Sequence, residues 1–429
     1  MYKNNKRSFG WLRPAALVLL LGSSKLVMAQ SSDRLSIEQC YQLAIKQYPL
    51  VRQKALIEQS KQYSLSNAAK GYWPQLSING QASYQSAVTE ISLPGLGVPS
   101  MNKDQYRVYA EVYQSITDPF LIKQQKELVK ANSETEQQKT EVELYQLKER
   151  INQLYFGILL IDAQLLQNKI LKNDIQAGID KTNAAIANGI ALKSNADNLQ
   201  AELLKADQRT IELTTGRNGY ADMLSQFVGE KITTLSPLQT SISENPTTTI
   251  NRPELKFFEA QKRFFLVQDK LITAKNIPRV GLFLQAGYGR PGLNPLSNEF
   301  SAYYIGGIKM NWNFGGLYTA KKDRALLKTN RQVIDVQKDV FLFNTKLAMT
   351  QQNSELEKYQ QLIRSDEAII SLREKVKTTA QHQLTFGTIS SIDYISYVNA
   401  EDQARQQLLF HQVQASLARY TLKTISGHE

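Results

Sequence analysis

The sequence predicts an α+β membrane protein made of two equivalent halves, and three observations predict it. A long-range internal repeat runs through the chain, four short segments alternate in polarity, and the helical stretches between them are far longer than a globular domain uses.

The repeat sets the organisation. Pro74-Gln75-Leu76-Ser77-Ile78-Asn79-Gly80-Gln81-Ala82-Ser83-Tyr84 returns as Pro278-Arg279-Val280-Gly281-Leu282-Phe283-Leu284-Gln285-Ala286-Gly287-Tyr288, a shift of 204 residues that also carries Pro49 onto Pro253. Further on, Leu128-Val129-Lys130-Ala131-Asn132 matches Leu326-Leu327-Lys328-Thr329-Asn330, Gly189 matches Gly387 and Gly229 matches Gly427, all at a shift of 198. The difference falls between the two strand segments of each copy, where the first half has the longer Pro/Gly loop. The expected division is a secretory signal at 1–29, a first repeat at 30–230, a Ser/Thr/Pro-rich linker at 231–252 and a second repeat at 253–429.

Each half opens with a helix. Leu35 to Gln47 carries Ser36 and Gln39 at capping-box spacing, breaks at Tyr48-Pro49 and resumes to about Gly71; its counterpart runs from Pro253 to about Lys275. Two strands follow in each half, forming hairpins at about 75–116 and 279–314. Leu76, Ile78, Ala82 and Tyr84 alternate with Ser77, Asn79, Gln81 and Ser83, so one strand face is apolar and the other polar. Val280, Leu282, Leu284, Ala286 and Tyr288 repeat the pattern, and the returning strands are Tyr106 to Ser115 and Tyr303 to Phe314. Turn residues separate each pair: Pro94, Gly95, Gly97 and Pro99 in one half, Arg290-Pro291-Gly292 and Asn294-Pro295 in the other.

The helical hairpins come last, at about 119–229 and 316–427. No proline interrupts Phe120 to Ala187, which predicts one helix on the order of 100 Å long. Leu144, Leu147, Ile151, Leu154, Ile158, Ile161 and Leu165 form a coiled-coil seam along it. The second copy keeps Leu342, Met349, Leu356 and Ile363 but sets Thr345, Gln352 and Tyr359 between them, so its seam is wetter. Each hairpin is expected to turn near Gly189 or Gly387 and to end near Gly229 or Gly427.

Composition narrows the setting. Lys3, Lys6, Arg7 and Arg13, an apolar run from Ala15 to Leu21 and Val27-Met28-Ala29 read as an export signal; five basic residues would leave with it, lowering the formal charge from +12 to +7. The remaining Lys and Arg are interspersed with Glu and Asp, which argues for solvated helix faces and against a nucleic-acid partner. Cys40 is the sole cysteine, so no intrachain disulfide can form. His382, His411 and His428 lack metal-ligand spacing, and no phosphate-cradling loop or nucleophile elbow occurs, so neither enzyme nor cofactor chemistry is expected.

The strands dictate the assembly. Lipid demands that every backbone polar group be paired internally, so amphipathic strands sit there only in a closed barrel. Four per chain close through symmetric association, and three copies supply twelve, with the polar face around a lumen. Tyr72, Trp73, Tyr84, Tyr106, Tyr288, Tyr303, Tyr304 and Trp312 stand near the strand ends, as interfacial aromatic girdles do. The long helices would continue that conduit away from the membrane.

Gly387-Thr388-Ile389-Ser390-Ser391-Ile392-Asp393, then Asn399-Ala400-Glu401 and Ala404-Arg405, the counterpart from Gly189 to Glu202, and the ending Tyr420-Thr421-Leu422 to Ile425-Ser426-Gly427 resemble the TolC-like outer-membrane factor family. The resemblance covers Leu35 to Gly427. It implies a homotrimer with a twelve-stranded transmembrane β-barrel, a twelve-helix coiled-coil tunnel in the periplasm and a tip that closes like an iris. It further implies a passive exit duct of tripartite efflux or type I secretion, working with a periplasmic adaptor and an inner-membrane pump. A carboxylate ring is implied six residues after the second turn glycine, at Asp393, where helix capping is the competing role. Where the family links neighbouring hairpins through charged and polar groups, this chain has Asn195 and Ile389, which cannot form a salt bridge. Links through Asn195, Asp197 or Tyr394 are the expected substitute. A periplasmic adaptor and a structural coiled-coil envelope protein are the alternatives, but an adaptor has one helical hairpin flanked by compact β-domains, and neither explains paired amphipathic strands.

Overall fold

The structure is a computed structural model that describes residues 35–89, 101–233, 235, 249–294 and 297–428. The expected signal at 1–29, the turn residues Pro94, Gly95, Gly97, Pro99 and Pro295, and most of the linker lie outside the described residues.

The first helix, α1 (Ile37–Gln47), starts on the Ser36–Gln39 capping box: each side chain bonds the other's backbone N–H. Tyr48 takes an extended conformation before Pro49, and α2 (Val51–Ala69) follows, tightening into a 3-10 turn at Lys70–Tyr72. Then come β1 (Gln75–Tyr84), β2 (Asp104–Ser115), α3 (Asp118–Tyr145), α4 (Leu147–Ala187) and α5 (Lys193–Val228). The same order returns as α6 (Pro253–Lys275), β3 (Arg279–Arg290), β4 (Ser301–Asn311), α7 (Gly315–Thr385) and α8 (Ser391–Ser426). Gly189 and Gly387 make the helix turns with φ of +71° and +67°, the left-handed conformation that costs glycine nothing.

One expectation is corrected. The helix predicted to run unbroken from Phe120 to Ala187 is two, α3 and α4, with Gln146 between them. The interruption is slight, because Gln146 keeps right-handed helical angles and its N–H still donates to the Val142 carbonyl at 3.2 Å, and distant elements pack around it. The Tyr145 hydroxyl donates to the Thr424 carbonyl at 2.8 Å, and the buried Lys148 holds its ammonium 4.9 Å and 5.2 Å from the Tyr145 and Tyr41 rings, so α1 and the end of α8 grip both sides of the joint. By contrast α7 runs through 71 residues, about 105 Å at the standard rise.

The four strands form a single antiparallel sheet in the order β1-β2-β3-β4. The two hairpins join edge to edge through β2 and β3, with Val108 opposite Tyr288 and Val112 opposite Leu284. Among the described residues β1 and β4 have no outer strand partner.

The helices bury two main cores. In the first, Ile37, Cys40 and Ala44 of α1 pack on Leu144, Leu147, Ile151 and Ile158 of the predicted seam and on Leu224 and Val228 of α5. In the second, near the helix turns, Leu171, Ile175 and Ile179 of α4 meet Leu199, Ala380, Leu384, Tyr394 and Val398.

Candidate functional site

The sheet separates its two faces by the alternation of the pleat. On one, Leu76, Val112, Leu284 and Gly306 lie in register across all four strands, followed by Ile78, Ala110, Ala286 and Tyr304. This apolar face is uncovered: Leu76, Ile78, Tyr304 and Ile308 are 72%, 78%, 77% and 71% exposed. Twelve large apolar side chains of this face stand open, and at on the order of 1–2 kcal/mol each they favour an apolar surrounding by roughly 10–20 kcal/mol. The opposite face carries Ser77, Asn79, Gln81, Arg107, Glu111, Gln285 and Lys309; Glu111 accepts from Gln285 and lies 3.9 Å from the Lys309 ammonium.

The aromatic candidates divide between the two ends and the two faces. Tyr72, Trp73 and Trp312 mark the helix end, where Trp312 packs on Phe314 at 4.7 Å and Lys70 caps the Trp73 ring at 3.7 Å. Tyr84, Tyr106 and Tyr288 mark the far end on the apolar face, with Phe300 stacked on Tyr106 and Tyr288. Tyr303 departs from the group. It lies opposite Gly287, across whose missing side chain its ring reaches, and so belongs to the polar face, beneath the Arg107 guanidinium.

At the other extremity, the turns at Gly189 and Gly387 lie side by side: a Cβ on Gly387 would sit 2.8 Å from the Ile190 side chain. The Asp393 carboxylate accepts from the Ser390 hydroxyl at 2.7 Å and the Ser390 backbone N–H at 3.1 Å, completing a capping box that starts α8. Those bonds hold its carboxyl below the ordinary aspartate range, the hydroxyl contributing most. The equivalent start of α5 has Leu192 and Asn195 at these places and no side-chain cap. Asn195 is half-buried and Asp197 exposed, while Ile389 leans on the second core.

Tyr394 is not a free linking group. It is 1% exposed, donates to the Asp174 carbonyl at 3.3 Å and fills the space over Gly178, where even a methyl group would meet its ring at 2.7 Å. Burial pushes its hydroxyl up to about 12. Its place in α8, one residue beyond the cap, turns it inward on the helix face that Val398 continues.

Sequence reasoning missed the charged joint behind the tip. The Lys377 ammonium of α7 reaches Asp174 of α4 at 2.9 Å and Glu401 of α8 at 3.1 Å; Glu401, 1% exposed, also accepts from Arg405. Burial opposes the charge on Lys377, yet its two carboxylate partners hold its pKa above the usual lysine value. One layer higher, the buried Asp402 carboxylate accepts from Gln167 of α4 and Gln406, and burial raises its pKa. Only the four-residue spacing of Glu401 and Arg405 hinted at this. Among the described residues no cluster of His, Cys, Asp and Glu could hold a metal ion, and no helix is long and apolar enough to cross a membrane.

No protein-family profile and no curated protein matches the sequence. Solved structures do match the fold. The outer membrane protein VceC from Vibrio cholerae superposes with a TM-score of 0.66 at 12% identity, covering 91% of this chain and 96% of its own. CusC, whose structures concern folding and transmembrane channel formation, gives 0.66 at 14% identity over 92% of both chains. The open-state MtrE outer membrane channel of Neisseria gonorrhoeae gives 0.64 at 12% identity over 91% and 89%. At such identities the agreement is one of fold: the chain, a long helical body carrying a four-stranded antiparallel sheet, folds as these outer-membrane channel proteins do.

Proposed function

We propose that the chain is one subunit of a homotrimeric outer-membrane channel, a passive exit duct for solutes delivered by an inner-membrane pump through a periplasmic adaptor. One observation carries this reading: a sheet whose apolar face stands open and whose two edges, among the described residues, lack strand partners. Three copies joined β1 to β4 close a twelve-stranded barrel, satisfying both edges and turning the apolar face to lipid, the polar face to water. The helices continue the lumen into the periplasm, on a chain divided into signal 1–29, repeat 30–230, linker 231–252 and repeat 253–429. Such a duct moves solutes down the path the pump sets and needs no nucleophile or cofactor.

The gate lies at the tip. One Asp393 from each copy places three carboxylates, kept ionised by their caps, around the narrow end, where they attract cations and repel anions. Asn195 and Asp197 remain for contacts between neighbouring hairpins. The test is direct: detergent-purified protein should run as a heat-resistant trimer on unboiled gels and conduct in a planar bilayer. A water-soluble monomer without conductance overturns the reading. Asp393→Lys should shift single-channel selectivity toward anions, and unchanged selectivity removes Asp393 from the gate.

A further inference from the structure

We propose that the helices immediately beneath the sheet form a cationic collar that binds anionic phospholipid headgroups of the membrane leaflet facing the helical body. The inference rests on the channel reading but concerns a surface that the duct itself does not use. Its starting point is an uneven charge distribution along α7: residues 315–331 hold five cations and one carboxylate, whereas residues 332–385 hold seven of each. The excess therefore sits entirely at the sheet end. The neighbouring end of α6 adds Lys270 and Lys275 at the same level.

These cations are not consumed within the protein. Lys270, Lys275, Lys321, Lys322 and Lys328 are exposed and make no ion pair or hydrogen bond among the described residues, whereas Arg324 is paired with Asp269 at 3.6 Å. Nor do they serve the helix: the first turn of α7 has no carboxylate to meet its positive end, and lysines follow in the second. A second copy of the chain would bring the same excess to the same level, so symmetric association cannot neutralise it.

Position identifies the partner. Trp73 and Trp312 mark where the apolar face ends, and Lys321 and Lys322 lie about 10 Å further along the helix axis, just beyond the headgroup layer and close enough for long lysine side chains to reach back to it. Interfacial aromatics with clustered lysines just outside the bilayer are the physical signature of anionic-lipid contact.

The full-length protein, purified as the assembled species in neutral detergent, is titrated with phosphatidylglycerol, phosphatidylcholine or inorganic phosphate while bound lipid is counted by native mass spectrometry. Phosphatidylglycerol should bind and raise the unfolding temperature, with salt weakening the effect; the quadruple variant K270Q/K275Q/K321Q/K322Q should bind it on the order of 100-fold more weakly. A quadruple Lys→Arg variant should retain binding. Equal binding of phosphatidylcholine, retention of phosphatidylglycerol within threefold in the glutamine variant, or competition by phosphate alone overturns the proposal. Heat-resistant trimers and bilayer conductance are measured on the same samples; their persistence beside lost lipid selectivity refutes the collar alone, and their absence in the unaltered chain refutes the channel.

Discussion

Removing the charge from Glu401 tests how the two helical hairpins of one chain are held together. In Glu401→Gln the shape survives, but Lys377 keeps only Asp174 at 2.9 Å, and Arg405 keeps only Glu374 at 3.5 Å. At an effective dielectric constant of about 20, a 3.1 Å pair is worth roughly 5 kcal/mol, much of it offset by the cost of burying Glu401. Lys377 and Arg405 retain 17% and 32% side-chain exposure, so water absorbs part of what they lose. The net penalty should be about 2–3 kcal/mol, below the 3–5 kcal/mol typical of a fully buried broken pair. Hydrogen exchange of peptides covering residues 395–405 reads it locally: protection should fall about 30- to 150-fold while β2 and β3 keep theirs. Lys377→Met with Glu401→Met should recover at least half of the loss, since it removes the buried carboxylate and its ammonium together and leaves only the partly exposed Asp174 and Arg405 to be met by water and, for Arg405, by Glu374. Protection within threefold of the unaltered protein would refute the view that this joint ties α8 to α4 and α7.

Asp402→Asn should stabilise the protein at neutral pH. Burial raises the folded-state pKa of Asp402, so its native-state proton favours folding below the unfolded value, and that contribution is lost as pH rises through the folded one; unfolding midpoints should diverge between variant and parent as pH increases and converge in acid. Gly387→Ala should cost more than Gly189→Ala: both leave glycine-friendly angles, for about 1 kcal/mol, but only at Gly387 does the new methyl group strike Ile190, at 2.8 Å, and the two thermal unfolding midpoints should differ accordingly. Cys40 is fully buried and burial pushes its thiol up to about 12, so a maleimide should label it only in denaturant; rapid native labelling would contradict the packing of α1.

Much of the fold is legible because it obeys periodicity. The capping box at Ser36, the glycines at the helix turns and the polarity alternation of Leu76 to Tyr84 each act over a few residues, and the structure uses them as local rules dictate. The interruption at Gln146 is not legible because nothing local marks it: Gln146 keeps helical angles, and the contacts around it, such as Tyr145 with Thr424, come from segments distant in sequence. The same holds at the tip. Asp393 was readable as a carboxylate after a turn, yet the inward orientation of Tyr394 depends on Gly178 leaving room for it in another helix. The Lys377 joint draws on three helices, and only its Glu401–Arg405 arm leaves a trace in one segment. Tyr303 falls on the polar face because strand parity fixes it, a consequence of register that counting from the strand end does not reveal.

The junction of β2 with β3 bears on biogenesis. These neighbours are separated in the chain by the whole of α3 to α6, so the sheet cannot be completed until the polypeptide through β4 has been made. Pairing so remote in sequence is slow, because a long loop must close before any contact rewards it. The first hairpin therefore waits, sticky side bare, while its counterpart is still being delivered. For a chain that folds as it is made, completion of the sheet is limited by the arrival of β3 and β4, and not by the speed at which any helix winds.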